Sequence, residues 1–119
     1  MHSMIFTNLL LIAAITTYDA WTVSPTDRPQ DRLVIDPASA SPIGNDMAAV
    51  EFDYHQDGRL TMHRTLSISG CTRRAGTITL IDDDADFGIQ HWSASNNHTY
   101  DLLAVRGCLA IQLKQKNRI

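Results

Sequence analysis

The stretch Ala48–Ile68 constrains the fold of this chain more than any other. It reads Ala-Ala-Val-Glu-Phe-Asp-Tyr-His, then Gln-Asp-Gly, then Arg-Leu-Thr-Met-His-Arg-Thr-Leu-Ser-Ile. Two alternating runs about an Asp-Gly pair are a strong short-range signal for a β-hairpin. Side chains alternate with period two along a strand, so Val50, Phe52 and Tyr54 share one face of the first run. Leu60, Met62, Leu66 and Ile68 share one face of the second. A two-residue loop of Asp57-Gly58 sets Phe52 opposite His63 and puts the two apolar rows on opposite faces. A three-residue loop, Gln56-Asp57-Gly58, sets Tyr54 opposite Leu60 and Phe52 opposite Met62, and the rows coincide. A slip of one residue flips every side chain, so burial selects the three-residue loop, with Gly58 supplying a positive φ. Glu51, Asp53, Thr61 and His63 then face outward. Arg64 is the one charged residue on the buried row, placed at an edge.

A chain of 119 residues bounds the answer to one domain, and a net charge of −3 gives no general bias towards nucleic acid. The start, Met1-His2-Ser3-Met4-Ile5-Phe6-Thr7-Asn8-Leu9-Leu10-Leu11-Ile12-Ala13-Ala14-Ile15, is apolar and short. A bilayer span needs roughly 20 apolar residues, so no stable membrane insertion is expected. The run fits the core of a secretory signal peptide over residues 1–20, with a cytosolic β-protein that keeps its N-terminus as the alternative. Residues 21–46 carry all four prolines, at positions 25, 29, 37 and 42, and many Ser, Thr and Asp. They read as an extended, poorly ordered arm in which Leu33-Val34-Ile35 docks as a short edge strand. Residues 47–119 form the β-domain.

The two cysteines, Cys71 and Cys108, read as a disulfide in a short chain with a signal-like start. Asn97-His98-Thr99 is an N-glycosylation sequon at Asn97. Secretion is the expected localisation. After the hairpin, Thr77–Ile81 and Phe87–Trp92 read as strands on either side of the acidic run Asp82–Asp86. Thr99–Val105 reads as a fifth strand, Arg106-Gly107-Cys108 as a tight turn, and Leu109, Ile111 and Leu113 as the inner face of a final strand. The expected fold is all-β: a small antiparallel β-sandwich or barrel of six to seven strands, its sheets stapled by the one disulfide.

No catalytic constellation emerges. The serines lie in no GxSxG elbow and the histidines show no HExxH spacing, so the chain is expected not to be an enzyme. Neither a cofactor nor a metal site is predicted. Asp82–Asp86 lacks the glycine and terminal glutamate of a calcium loop and reads as a solvated turn. The disulfide is expected to gather Arg73, Arg74 and Arg106 into a basic patch able to meet an acidic partner. Trp92 beside Ser93-Ala94-Ser95-Asn96-Asn97 offers a second candidate contact, although a core tryptophan is the commoner use.

At Cys108-Leu109-Ala110-Ile111-Gln112-Leu113-Lys114, a cysteine leads into a predicted strand and its partner stands nearly forty residues earlier. In this it resembles the MAX-type effectors of plant-pathogenic fungi. That resemblance covers Cys71–Lys114 and implies a small secreted β-sandwich that is not an enzyme and binds a host protein. The expected function is therefore a secreted, monomeric, non-enzymatic binding protein with a protein partner. The alternative is a carbohydrate-binding or small hydrolytic module using Trp92, His91 and the Asp82–Asp86 loop.

Overall fold

The computed structural model describes residues 21–81 and 87–116. The elements are β1 (Thr22–Val23), β2 (Arg32–Gly44), β3 (Met47–Gln56), β4 (Arg59–Ser69), β5 (Ala75–Leu80), β6 (Ile89–Ser93) and α1 (Thr99–Lys116). The six strands form one antiparallel sheet in which each pairs with its neighbours in the chain. The sheet curls into a half-barrel, and α1 lies on its concave face against β2, β6 and β3. The expected signal peptide and the Asp82–Asp86 turn lie outside the described residues.

The hairpin forms where the sequence places it, but with a different loop. Gln56 pairs with Arg59, which leaves a two-residue loop, and both Asp57 (φ 51°) and Gly58 (φ 82°) take positive φ. That is the backbone of the tight hairpin turns that match strand twist. The predicted pairs Tyr54–Leu60 and Phe52–Met62 are replaced by Tyr54–Met62 and Phe52–Arg64. From Met62 onward the apolar rows still share a face, because a bulge between His55–Leu60 and Tyr54–Met62 inserts Thr61 and restores the parity that the shorter loop would have lost; Leu60, beyond the bulge, leaves the row and is exposed. The Thr61 hydroxyl donates to the Tyr54 carbonyl at 3.2 Å.

Residues 21–46, read from sequence as a poorly ordered arm, supply two of the six strands, and Trp21, Val23, Leu33, Ile35 and Ala40 are buried in the core. Pro37, within β2, is absorbed by a bulge. Between Asp36–Glu51 and Ser41–Ala49 the β2 strand carries extra residues, and Pro37 stands in this bulge. Asp36 accepts from the Ala38 amide, and the Ser39 hydroxyl accepts from the Glu51 amide at 2.8 Å, so a side chain replaces a ladder bond. A bulge bends its strand and increases twist, which helps the sheet curl.

The predicted fifth strand, tight turn and final strand are one helix of 18 residues. Its buried residues include Leu103, Ala104, Gly107, Cys108 and Ile111, a helical stripe. Gly107 breaks nothing. It is a point of close approach: a Cβ there would stand 2.3 Å from Ile68 Cδ1 and 3.2 Å from Val50 Cγ1. The N-terminus is capped by Asp101, which accepts from the His98 amide at 3.0 Å and the Ser93 amide at 2.7 Å. Lys114 and Lys116 occupy the last turn, where cations favour the helix dipole, and Lys114 Nζ donates to the Ala38 carbonyl in the β2 bulge.

The disulfide joins Cys71 to Cys108 with Cα atoms 5.4 Å apart. It ties the β4–β5 turn to the middle of α1, not sheet to sheet as expected. Asp46, at the β2–β3 turn, holds the same corner by accepting from the Thr72 amide at 2.6 Å.

Candidate functional site: a cavity in the half-barrel

The helix does not cover the whole concave face. Around Gly107 it sits directly on Val50 and Ile68. Towards the β3–β4 turn the same apolar row runs on, and a half-open cavity of about 550 Å³ lies over it. The sheet contributes Leu33, Phe52, Tyr54, Met62, Leu66 and Leu80 to its wall. Opposite stand Leu103, Phe87 and Tyr100, the last two in an edge-to-face pair with ring centroids 5.2 Å apart. The polar corner comes from Thr26, Asp27 and Arg28 before β2 and from Asn96, His98 and Thr99 at the start of α1. The Thr26 amide donates to the Thr99 hydroxyl at 3.1 Å, closing that corner.

Behind this wall sits Asp31, whose side chain is wholly buried. Its Oδ2 accepts from the Tyr54 hydroxyl at 2.5 Å and from Arg28 Nε at 2.7 Å. The Tyr54 bond is the main reason its carboxyl is held below the ordinary value; burial opposes the shift, and Arg28 adds to it. The Asp57 backbone contributes a smaller lowering, while Oδ1 has no partner of ordinary hydrogen-bond geometry among the described residues. Hydrogen bonding to Asp31 likewise raises Tyr54 and Arg28 above their usual values. Burying a carboxylate is costly unless it is paired, so this trio rigidifies the cavity wall.

The residues picked out by sequence are dispersed. Arg73 and Arg74 are exposed in the β4–β5 turn, with Arg73 Nε 3.9 Å from Asp46. Arg106 lies two residues before Cys108, which turns it about 200° away around the helix. Its Nε is buried, with no hydrogen-bond partner among the described residues. Arg73 and Arg74 thus lie on the turn side of the bridge and Arg106 on its helix side. Trp92 is buried, and its indole N–H donates to the Ser69 carbonyl at 2.9 Å, so it serves the core and offers no stacking face. With Arg74 it lines a smaller cavity of about 210 Å³ beside the disulfide. Asn97 is exposed in the turn before α1. His91 lines the rim of the large cavity.

His63 lies on the convex face, where it bridges Asp53 and, at 2.8 Å, Glu51. Asp53 first and Glu51 second raise its pKa above the ordinary 6.5. No group of three or more His, Cys, Asp or Glu among the described residues is placed to hold a metal ion. No helix among them is long and apolar enough to cross a membrane.

The sequence reading missed the cavity because its wall joins residues from the supposed arm to the supposed fifth strand. A usable signal was present: Arg28 and Asp31 flank a proline just before an apolar run, charged groups placed beside core residues. Comparison of the chain with protein-family models, with characterised proteins and with solved structures gave no match.

Proposed function

We propose that this protein is a non-enzymatic binding protein that holds an apolar small molecule in the half-barrel cavity and acts outside the cell. The cavity carries the reading. Its volume of about 550 Å³ lies within the roughly 300–1,000 Å³ of small-molecule sites, and its wall is aliphatic and aromatic with a few convergent polar groups. The Cys71–Cys108 bridge supports an oxidising compartment, where such bonds persist. Tyr54, Arg28, Asp31 and Asp101 are all engaged in structural hydrogen bonds, which suits holding a ligand better than transforming it.

The test is titration with the neutral fluorescent probe N-phenyl-1-naphthylamine. Saturable binding at one site per chain is expected, and Met62→Trp, which fills the cavity from β4, should abolish it without lowering the melting temperature. Absence of saturable binding, or binding indifferent to Met62→Trp, would overturn the proposal. It would return the function to a protein partner, for which Leu60 (59% exposed) and Ile89 (68% exposed) are the most exposed large apolar side chains among the described residues.

A further inference from the structure

The cavity wall contains charged residues, yet it offers a ligand little free charge. Arg28 is committed through Nε to Asp31, and Asp31 is committed to Arg28 and Tyr54. Asp101 is 3% exposed, and each of its oxygens accepts a backbone amide, at the positive end of the α1 dipole. Asp27 remains; like Arg28, whose side chain is 44% exposed, it stands at the open rim, where water weakens a charge, but unlike Arg28 it faces no buried partner among the described residues. Arg64 shares the concave row through its pairing with Phe52, but it is exposed and does not contribute to the cavity wall.

Without Asp31 the same wall would read differently. The Arg28 guanidinium would face the cavity uncompensated, beside the first turn of a helix, and an apolar slot ending in such a group takes a carboxylate. Asp31 is wholly buried and does not itself line the cavity, so no ligand replaces it. Its place behind the wall neutralises Arg28 and turns the Tyr54 hydroxyl away as a donor. The Tyr54 oxygen can still accept, and only Nε of Arg28 is engaged among the described residues, which leaves its Nη groups to donate to a neutral oxygen.

From this we infer that the cavity selects an uncharged amphiphile, an aliphatic or aromatic molecule ending in a hydroxyl, carbonyl or ester, and that Asp31 is the positioning residue that excludes fatty-acid-like carboxylates. The inference rests on the cavity being a ligand site. An ion entering this wall gives up water for partners already in use, whereas a neutral polar end gives up far less.

The experiment uses three ligands with one chain length, 1-octanol, octanoate and octylammonium, titrated calorimetrically into the intact disulfide-bonded protein at pH 7. Octanol is expected to bind at least about tenfold more tightly than either ion. In Asp31→Asn, octanoate should gain about tenfold while octanol changes little, and Arg28→Gln placed on Asp31→Asn should remove that gain. The double variant separates charge selection from a loss of folding, because a merely damaged wall would weaken all three ligands together. Octanoate or octylammonium binding tightest to the wild type overturns the selectivity, as does an Asp31→Asn variant that still binds octanol but gains nothing for octanoate. If none of the three binds, the small-molecule reading itself fails.

Discussion

The two ends of the concave face are built from the same strands and differ in one respect: what stands on them. At the closed end α1 rests on Val50 and Ile68 through Gly107, and the disulfide and Asp46 pin the adjoining turn. At the open end Phe52, Tyr54 and Met62 continue the same row, and among the described residues a cavity lies between them and the first turn of α1. An apolar row is core where a backbone approaches within contact distance and becomes a ligand wall where it does not. The glycine in the helix matters as much as the hydrophobic residues in the sheet, because it sets how closely α1 can approach.

The contrast makes predictions of decreasing size. Loss of the disulfide should cost most. Cys71→Ser opens a loop of 37 residues at the closed end, and the chain-entropy estimate is about 4 kcal/mol, measured by denaturant unfolding under non-reducing conditions. Gly107→Ala should cost about 1–2 kcal/mol, since a Cβ 2.3 Å from Ile68 Cδ1 makes that fully buried side-chain tip shift among its packed neighbours, set against alanine's helix preference. Met62→Ala at the open end, where the side chain is 37% exposed, should cost less than about 1 kcal/mol while weakening ligand binding. Equal losses at Gly107 and Met62 would break the distinction between the two ends.

Two smaller effects are read through pH. Asp31 is held below its ordinary value of 3.8, so its stabilisation is present above that pH and is lost as pH falls through the lowered value. Tyr54→Phe removes the largest cause. The stability gap between variant and wild type should therefore be full at neutral pH and narrow only in strong acid. His63 is held above 6.5, so its contribution is complete below that pH and is lost as pH rises through the raised value. His63→Gln on the convex face should be the mildest change, visible near pH 5–6 as a small drop in melting temperature, absent at pH 9 and without effect on cavity ligands.

Much of the sheet was legible. Alternation placed β3, β4, β5 and β6 and put Phe52, Tyr54, Met62 and Leu66 on one face, because a strand's two-residue period is written locally. The helix was not. Leu102, Leu103, Ala104, Val105, Leu109, Ala110 and Ile111 satisfy both periods at once, and Gly107 reads as a turn because the side chains it admits, Val50 and Ile68, lie far away in the sequence. Cys108 consequently sits within a helix, and residues 109–114, which read as a strand from sequence, are helical. The cavity was hidden for a related reason. Its wall draws on residues around positions 28, 54, 62, 80 and 100, a set that no window of sequence contains.

The sequence by itself determined an antiparallel, disulfide-bonded chain with a hairpin at Asp57-Gly58 and a shared apolar row, because turn chemistry, alternation and cysteine pairing depend on near neighbours or simple counts. Only the tertiary structure decided the loop length, through the Thr61 bulge, the helix, through Gly107 against Ile68, and the division of that row into core and cavity. Those outcomes turn on which distant backbone comes within contact distance, and a Cβ too many or too few at one position is enough to change them.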